Sequence, residues 1–575
     1  MNQGVTKGPL TSSGQRQANS RLLMDDIATT TETVPQTNIL LQKVSEKLKW
    51  AELEARAHKC RSLVIFKGQV QRRSLKLGGD TITPIQDKPV KYLGKEYKAN
   101  LNESEQIQDV QRNLKIELKK IDKCRLPGRY KCWMVQHMLI PRLMWPLTIY
   151  NMPLTKVEEL QKKITISLKK WMGIPKNFST DCMYSKSSRL KLPFSSITEE
   201  YKATKARNMV TFTESEDPCI RGAGIDVDAG RKANTKAEVD EAKSRLKLQE
   251  IIGTTNKGTE GLGMRKGKYY SNSSSKEKRS MIINTVKEKE EERRIVNITQ
   301  LSQQGSQLRW EVPQRQIKSD DLIRMSDESL KFLIKAVHNL LPTPANKNRW
   351  YGTEEKCSLC GKDGTLNHIL SSCSVAMGQG RYSWRHDKVL KELASGIETK
   401  IVENSKKQIE EKRRIQFVKA GERGERQVFQ PESYLSTARD WKLSVDLGQK
   451  LKIPIAVSAT NLRPDITIVS GKTKQMGIVE LTVPSEERIE ISGEIKRNKY
   501  EKIVNEGRQN GWRVRCWAVE VGCRGFPAAS MSSFLKDIGY PGGQRKHIIE
   551  RISKTTENAS RTLWRASHFK RWGHY

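Results

Sequence analysis

Three cysteines and one histidine fall within 17 residues of this chain and constrain its fold more than any other feature. Cys357, Cys360, His368 and Cys373 form the pattern C-x2-C-x7-H-x4-C. Three thiols and one imidazole at such spacings are the ligands of a closed, tetrahedral zinc site. The sequence therefore predicts a structural Zn2+ site within residues 351–376. The alternative is three unrelated buried cysteines with a histidine nearby.

The charge of the chain indicates a polyanionic partner. Its 575 residues carry a formal net charge of +39, and 29% of them are charged against 36% hydrophobic. So large an excess of Lys and Arg is best explained by nucleic acid, DNA or RNA. An anionic membrane surface is the weaker alternative, since no stretch approaches the roughly 18 apolar residues of a membrane span. The length suggests roughly three or four domains, and the composition says nothing about oligomeric state.

The other cysteines and the N-terminus bear on the compartment. Seven cysteines outside the zinc pattern are scattered without a regular spacing, so disulfides are not expected and a reducing compartment is. The first 20 residues are polar and lack the apolar core of a secretory signal. We expect a protein that is made in the cytoplasm, is not secreted, and works in the nucleus.

Two adjacent carboxylates, Asp25 and Asp26, follow an apolar run that begins at Leu22. Such a pair at a strand turn can hold a divalent cation, as in polymerase palms, although an Asp-Asp pair is more often a helix cap or a solvated turn. A basic strand then runs from Lys59 to Lys67. Lys162 and Lys163 lie on the polar side of an amphipathic helix; they are either solvated lysines or part of a surface that follows a nucleic-acid backbone.

The C-terminal third reads as an α/β domain with its own pair of carboxylates. Strands are expected at 441–447, 455–458, 465–469, 477–483 and 512–521, with a helix at 488–506. Asp465 opens one strand and Glu480 lies on the next, so their side chains can meet at one edge of a sheet. Together they could hold Mg2+, and Lys496 or Lys499 could neutralise charge on a phosphate. The alternative is an ordinary strand Asp and Glu near solvated lysines.

These motifs, in this order, resemble the C-terminal half of the polyprotein of non-LTR retrotransposons that carry a restriction-like endonuclease. Leu23-Met24-Asp25-Asp26 resembles the polymerase aromatic-x-Asp-Asp box, Lys59 to Leu63 the lysine motif that follows it, and Tyr92-Leu93-Gly94 the segment near the primer. The zinc pattern has the family's x7 spacing. Arg381 to Asp387 resembles the signature after the knuckle, and Pro464-Asp465, Glu480 and Lys496 to Tyr500 resemble a PD-(D/E)xK nuclease core.

The resemblance implies a multidomain α+β chain in which most segments correspond to a part of the family's polyprotein. The expected parts are a disordered tail (1–20), a partial reverse-transcriptase palm (21–99), a helical thumb-like bundle (100–210), a charged linker with helices (211–320), a helical lead-in (321–350), a CCHC zinc knuckle (351–376), a restriction-like α/β endonuclease (377–540) and a basic aromatic tail (541–575). Residues expected to contact nucleic acid are Arg381, Arg385, His386, Lys59, Lys162 and Lys163.

Two departures from the family pattern matter. The Asp-Asp box lies near the start of the chain, whereas a palm also needs an earlier metal-binding Asp and the fingers; the chain is therefore expected to be truncated and unable to polymerise DNA by itself. Thr482, rather than Lys, lies two residues after Glu480, so Lys496 or Lys499 would have to replace that lysine.

The resemblance implies target-primed reverse transcription. An Mg2+-dependent nuclease nicks one DNA strand, and the exposed 3′ hydroxyl primes copying of the element's RNA. The nick is the activity expected to survive in this chain. The alternative is a non-catalytic, zinc-dependent nucleic-acid-binding remnant, or a domesticated host protein. The C-terminal tail, with Trp564, Phe569 and Trp572 among basic residues, is expected either to hold single strands by stacking and charge or to be disordered.

Overall fold

A computed structural model describes residues 6–11, 14–100, 102–225, 227, 234–258, 261–265, 270–406, 433–448 and 450–573. The chain divides into two compact units. The first unit consists of residues 1–171 and 194–293, and the second of residues 172–193 and 294–575. No helix in the described part of the chain is both long enough and apolar enough to cross a membrane.

Helices account for most of the regular structure. In chain order they are α1 (Val34–Trp50), α2 (Ser104–Lys123), α3 (Gly128–Met134), α4 (Ile140–Ile149), α5 (Leu154–Trp171), α6 (Thr180–Tyr184), α7 (Ile197–Thr213), α8 (Pro218–Arg221), α9 (Thr235–Ile252), α10 (Ser275–Thr299), α11 (Ser319–Arg324), α12 (Asp327–Val337), α13 (Pro344–Tyr351), α14 (Ser374–Gly378), α15 (Arg381–Lys406), α16 (Ile489–Gln509), α17 (Ala529–Asp537) and α18 (Gly542–Arg565).

The strands are short and fall into several small sheets. They are β1 (Ser20–Leu23), β2 (Asp26–Thr29), β3 (Arg61–Ser62), β4 (Val64–Phe66), β5 (Gln69–Gln71), β6 (Leu75–Leu77), β7 (Asp80–Pro84), β8 (Val90–Tyr92), β9 (Lys95–Tyr97), β10 (Leu190–Lys191), β11 (Thr254–Gly258), β12 (Gly261–Arg265), β13 (Arg315–Gln316), β14 (Lys442–Val445), β15 (Ile466–Ser470), β16 (Gln475–Thr482) and β17 (Arg513–Glu520).

In the first unit, helices form where apolar residues recur every three or four positions. The i, i+3/i+4 apolar pattern of α2 buries Val110, Leu114 and Leu118. That of α5 buries Leu160 and Ile164. The spacing of Leu40, Leu41 and Val44 predicts an amphipathic helix at 37–57; it is found as α1, whose Leu41 packs against strand residues of β6 and β7. Each of these segments was identifiable because one face of the helix is apolar.

The expectation of a charged linker over residues 211–320 is wrong for two of its helices, which pack into a core. α9 and α10 share a buried core with α7 inside the first unit. Val239 and Ala242 from α9 and Ile282 and Val286 from α10 contribute to it, together with Val210 from α7. The charged residues that suggested a linker form ion pairs on the outside, such as Lys287 with Glu200 at 2.7 Å.

In the second unit, a mixed sheet with the order β14-β15-β16-β17 forms the centre. Its first two pairings are antiparallel, and β16 pairs with β17 in parallel through the crossover helix α16. Alternate residues face opposite sides of a strand. Ile466 and Leu481 therefore face a core shared with α15 and α18, whereas Ile478 faces the core under α16.

Three expectations for chain segments are corrected. Residues 541–575 are not a tail, because α18 occupies 542–565 and buries Ile548 and Ile552 in the core of the sheet. Residues 455–458 form no strand; they lie in turns, with Val457 buried. The expected disorder of 1–20 is wrong for its described residues, where Leu10 and Arg16 form an antiparallel bridge.

A further helix was expected over 395–430. Its first part belongs to α15, which continues to Lys406, and residues 407–432 lie outside the described part of the chain.

Candidate functional sites

The four residues of the zinc pattern come together in the second unit. One ligand atom from each of Cys357, Cys360, His368 and Cys373 lies within 4.8 Å of all the others. The Cys360 Sγ and His368 Nε2 atoms are 3.0 Å apart. This group, the Cys3His cluster, could bind a metal such as zinc, because its donors are those that Zn2+ prefers and their number suits tetrahedral coordination.

A tight turn and a helix start create this arrangement. The Cys357 N–H donates to the Lys362 carbonyl at 2.6 Å, and the Gly361 N–H donates to the Cys357 carbonyl at 2.9 Å. Gly361 has φ of +73°, a left-handed conformation that glycine adopts without strain. His368 begins a short π-helical turn, and Cys373 directly precedes α14. The hairpin-like turn thus supplies two ligands and the helical stretch the other two.

The Tyr382 hydroxyl on α15 holds the backbone around His368 and Cys373 in place by hydrogen bonds. Its hydroxyl accepts a hydrogen bond from the Cys373 N–H at 3.0 Å and lies within donating distance of the His368 and Ile369 carbonyls, at 3.2 and 3.0 Å. Burial raises the pKa of the Tyr382 hydroxyl to about 12, so it stays protonated at neutral pH.

The two arginines expected to bind nucleic acid are buried instead. Arg381 is 2% exposed, and it donates to the Ala566 and Phe569 carbonyls at 2.7 and 2.6 Å. Arg385 is 1% exposed. The guanidinium of Arg385 donates to the Leu370 carbonyl at 2.8 Å, the Val483 carbonyl at 2.9 Å and the Ser560 hydroxyl at 3.1 Å.

The expectation that Arg381 and Arg385 contact nucleic acid is therefore wrong for this conformation. Their terminal guanidinium nitrogens donate to acceptors inside the second unit, as a buried guanidinium needs hydrogen bonds to offset its desolvation; Arg385 Nε has no partner among the described residues. Together they tie α15 to the chain around the Cys3His cluster, to β16 and to the end of α18.

The predicted carboxylates meet at one edge of the sheet. Asp465 immediately precedes β15 and Glu480 lies on β16. The Asp465 N–H donates to Glu480 Oε2 at 3.0 Å, and the Leu481 N–H donates to Asp465 Oδ2 at 2.8 Å. Both side chains thus lie on the side of the sheet that α16 covers, and the Glu480 side chain is only 2% exposed.

Both candidate lysines also reach this site. Lys496 Nζ lies 2.8 Å and Lys499 Nζ lies 3.5 Å from the same Oε1 atom of Glu480. The Tyr500 hydroxyl lies 3.0 Å from that oxygen and donates to the Arg463 carbonyl at 2.9 Å. Sequence reasoning had not assigned a role to Tyr500, yet the spacing 496, 499, 500 is i, i+3, i+4 on one helix face and could have shown it.

His386, expected to contact nucleic acid, belongs to this carboxylate site. Its Nε2 atom lies 3.3 Å from Asp465 Oδ2 and 3.2 Å from the Leu481 carbonyl. Burial by itself would lower the pKa of His386, but the Asp387 and Asp465 carboxylates raise it to about 9. Burial by itself would raise the pKa of Asp465, but the hydrogen bond and the charge of His386 hold it below its usual value. The pair is therefore ionised at neutral pH.

The carboxylate site suits a hard divalent cation chemically. Its acceptors are the Asp465 and Glu480 carboxylates and the Leu481 carbonyl, and oxygen ligands of this kind are those that Mg2+ prefers. The described hydrogen bonds of the Asp465 side chain all go to Oδ2. The site thus presents several oxygen acceptors at one edge of the sheet.

The predicted residues of the first unit are all exposed. Asp25 and Asp26 lie at the tip of the β1–β2 hairpin, where Leu23 pairs with Asp26. Within the described residues no third Cys, His, Asp or Glu joins them in a metal-binding group. Lys59 does not lie in a strand; it is the last residue of a short 3-10 turn. Lys162 and Lys163 lie on the exposed face of α5.

A scan against protein-family models and a search of curated proteins both return no match to this chain.

Proposed function

We propose that the second unit is an Mg2+-dependent DNA endonuclease that nicks one strand, of the type carried by non-LTR retrotransposon polyproteins. The observation that supports this most directly is the carboxylate site. The sequence predicts Asp465, Glu480, Lys496 and Lys499 as a nuclease set, and they meet at the Glu480 carboxylate: both lysines approach Oε1 and the Asp465 N–H donates to Oε2.

The roles of the residues follow from their chemistry. A metal ion held by Asp465 and Glu480 would activate water and offset charge on the phosphate. Lys496 carries a positive charge beside those carboxylates, where it can stabilise negative charge that develops on a phosphate oxygen. The Tyr500 hydroxyl lies between Glu480 Oε1 and the Arg463 carbonyl, and when it donates its one proton to Oε1 it helps to orient Glu480. His386 fixes Asp465 in the same way from α15.

In the full proposal, the nick exposes a 3′ hydroxyl that primes copying of an RNA in the nucleus. Residues 21–99 and 100–210 would correspond to part of a reverse-transcriptase palm and to its thumb. The Cys3His cluster would act as a zinc knuckle that positions nucleic acid beside the nuclease. DNA and RNA are the partners that this proposal requires, and the net charge of +39 supports such partners.

A plasmid-nicking assay tests the endonuclease. We expect supercoiled plasmid to become nicked when the chain is incubated with Mg2+, and we expect Asp465→Asn and Glu480→Gln each to reduce the rate by a factor of about 100 or more. Glu501→Gln is the matched control, since Glu501 is an exposed carboxylate on the same helix, α16. Nicking that is unaffected by both substitutions would rule out this site as its source.

One observation favours a second function, nucleic-acid binding without catalysis. Glu480 Oε1 is approached by Lys496, Lys499 and Tyr500, so its charge is already balanced by protein groups. A site of this kind could be purely structural. In that case the unaltered chain should show no Mg2+-dependent nicking, and the Asp465→Asn variant should still bind DNA.

A further inference from the structure

A polar cavity lies in the second unit, at the far end of α15 from His386. Its volume is about 270 Å3, several times the roughly 30 Å3 that one water molecule occupies in the liquid. The residues that matter in its lining are Lys400 and Asn404 from α15, Ser433, Ser436 and Arg439 from the segment before β14, and Lys536 from α17.

The lining of this cavity is strongly positive. Three cations, Lys400, Arg439 and Lys536, line it, and none of the described lining residues is a carboxylate. Lys400 is 6% exposed; its Nζ lies 3.1 Å from Glu403 Oε2 and 5.0 Å from the centre of the Tyr540 ring. Arg439 and Lys536 are exposed, and the Arg439 guanidinium also donates to the Asn404 backbone carbonyl. The cavity therefore offers one buried and two exposed positive charges.

Asn404 provides an independent observation. It is 8% exposed, and its Nδ2 atom has no hydrogen-bond partner among the described residues. Its backbone carbonyl is bonded by the Arg439 guanidinium, so the residue is held in place at the cavity wall. A buried amide N–H without an acceptor costs about 1–3 kcal/mol, and native proteins usually satisfy such groups. The missing partner must be a hydrogen-bond acceptor.

We propose that this cavity binds a phosphate group. Positive charges and an amide donor select an anion that accepts several hydrogen bonds, and the Ser433 hydroxyl adds a further donor. Phosphate suits this lining better than a carboxylate, since its oxygens point in more directions and can be reached from α15, α17 and the 433–439 segment at once. Arginine and lysine are both common phosphate ligands.

Two sources of that phosphate are possible, a free polyphosphate compound or the backbone of a nucleic acid. His386 and Lys400 are 14 residues apart on α15, which corresponds to about 21 Å along a helix. Backbone phosphates recur every 3.4 Å or so along each strand of a duplex. A backbone phosphate in the cavity would thus lie about six nucleotides from the carboxylate site. The proposal does not depend on cleavage, since none of the lining residues belongs to that site.

Calorimetric titration of the full chain with inorganic pyrophosphate tests the cavity. We expect one saturable site, with binding weakened at least fivefold by Lys536→Gln and by Asn404→Leu. Lys391→Gln is the matched control: Lys391 is an exposed lysine on α15 outside the lining, and we expect less than a twofold change. Lys536 is exposed, so its substitution tests the site even if Asn404→Leu lowers stability.

The absence of saturable binding, or equal weakening by Lys391→Gln and Lys536→Gln, would overturn the proposal, because both results would mean that only diffuse charge is involved. A second titration with a 30-base-pair duplex separates the two sources. If Lys536→Gln also weakens duplex binding and pyrophosphate competes with the duplex, the ligand is a backbone phosphate. If duplex binding is unchanged while pyrophosphate binding falls, the ligand is a free phosphate compound. Failure of the nicking assay leaves both titrations unaffected.

Discussion

Two lysines approach one oxygen of Glu480, and their distances distinguish them. Lys496 Nζ is 2.8 Å away and Lys499 Nζ 3.5 Å away. We therefore expect Lys496→Gln to lower the nicking rate by about 100-fold or more, as the loss of one preorganised donor does elsewhere, and Lys499→Gln to lower it by less than about tenfold. Rate constants for nicking at saturating Mg2+ measure this. Lys502→Gln serves as the control, since Lys502 is 84% exposed on the same helix. The reverse order of the two effects would assign the catalytic role to Lys499.

A buried histidine predicts how stability depends on pH. His338 is fully buried, its Nδ1 lies 3.5 Å from the Gln304 carbonyl, and its Nε2 has no partner among the described residues. Burial lowers its pKa from 6.5 to about 4. Between these two values the unfolded chain binds more protons than the folded chain, so stability falls as the pH falls through this window.

The size of that loss can be measured by denaturation. Between pH 7.5 and pH 5 we expect His338 to cost the second unit about 2 kcal/mol of its free energy of unfolding. His338→Leu should remove this part of the pH dependence, whereas His547→Gln, a change at an exposed histidine, should leave it in place. Equal pH dependence in the unaltered chain and in His338→Leu would contradict the assignment.

At the scale of elements, the Cys3His cluster organises a segment that has little core of its own. We expect purified protein to contain about one zinc per chain, and Cys360→Ser or a chelator to remove it. Loss of the metal should raise amide hydrogen exchange over residues 353–378, because the metal–ligand bonds that join the turn at Gly361 to the helical stretch at His368 are then lost. Helices α2 and α5 of the first unit should keep their protection.

Cys124→Ser is a matched control for this experiment. Cys124 follows α2 and lies outside the cluster, so its replacement should change neither the zinc content nor the exchange over 353–378. A zinc content near zero in the unaltered protein would show that the four ligands do not hold the metal.

The elements that could be predicted from sequence are those with their own signal. The helix expected at 488–506 is found as α16, within three residues at each end, and the amphipathic helix expected around Lys162 is found as α5. The strands near 466 and 478 were identifiable because β-branched residues flank the carboxylates. Residues 455–458 have the same composition but no strand beside them to pair with, and composition alone does not reveal a partner.

The role of a side chain could be predicted where local elements bring its partners together, and not where those partners are distant in sequence. Asp465, Glu480, Lys496 and Lys499 were predictable because adjacent strands and one helix face bring them together locally. Arg381 and Arg385 were misassigned because their acceptors lie up to 188 residues away in sequence. A basic residue in a basic chain suggests solvent or nucleic acid until the carbonyls around it are known. The cavity at Asn404 is not predictable for the same reason, since its lining comes from α15, α17 and the 433–439 segment.

For the whole molecule, the charge of +39 predicts strongly salt-dependent binding to nucleic acid. If about six phosphates are contacted, affinity for a duplex should fall by about 1,000-fold between 50 and 200 mM salt. Fluorescence anisotropy of a labelled duplex measures the slope. The double change Lys162→Gln and Lys163→Gln, on exposed positions of α5, should reduce the slope by up to about two. A double change that leaves the slope intact would show that α5 does not contact the duplex.

The hydrogen bonds of Arg381 and Arg385 have a genetic consequence. All acidic, basic and zinc-binding residues of both candidate sites precede residue 540, yet both guanidiniums depend on acceptors at Ser560, Ala566 and Phe569. A stop codon after position 540 would leave these two buried cations with unfilled donors and would uncover the apolar side of α15 that Ile548 and Ile552 pack against. A premature stop directly after codon 540 would thus inactivate sites whose own residues are all still translated.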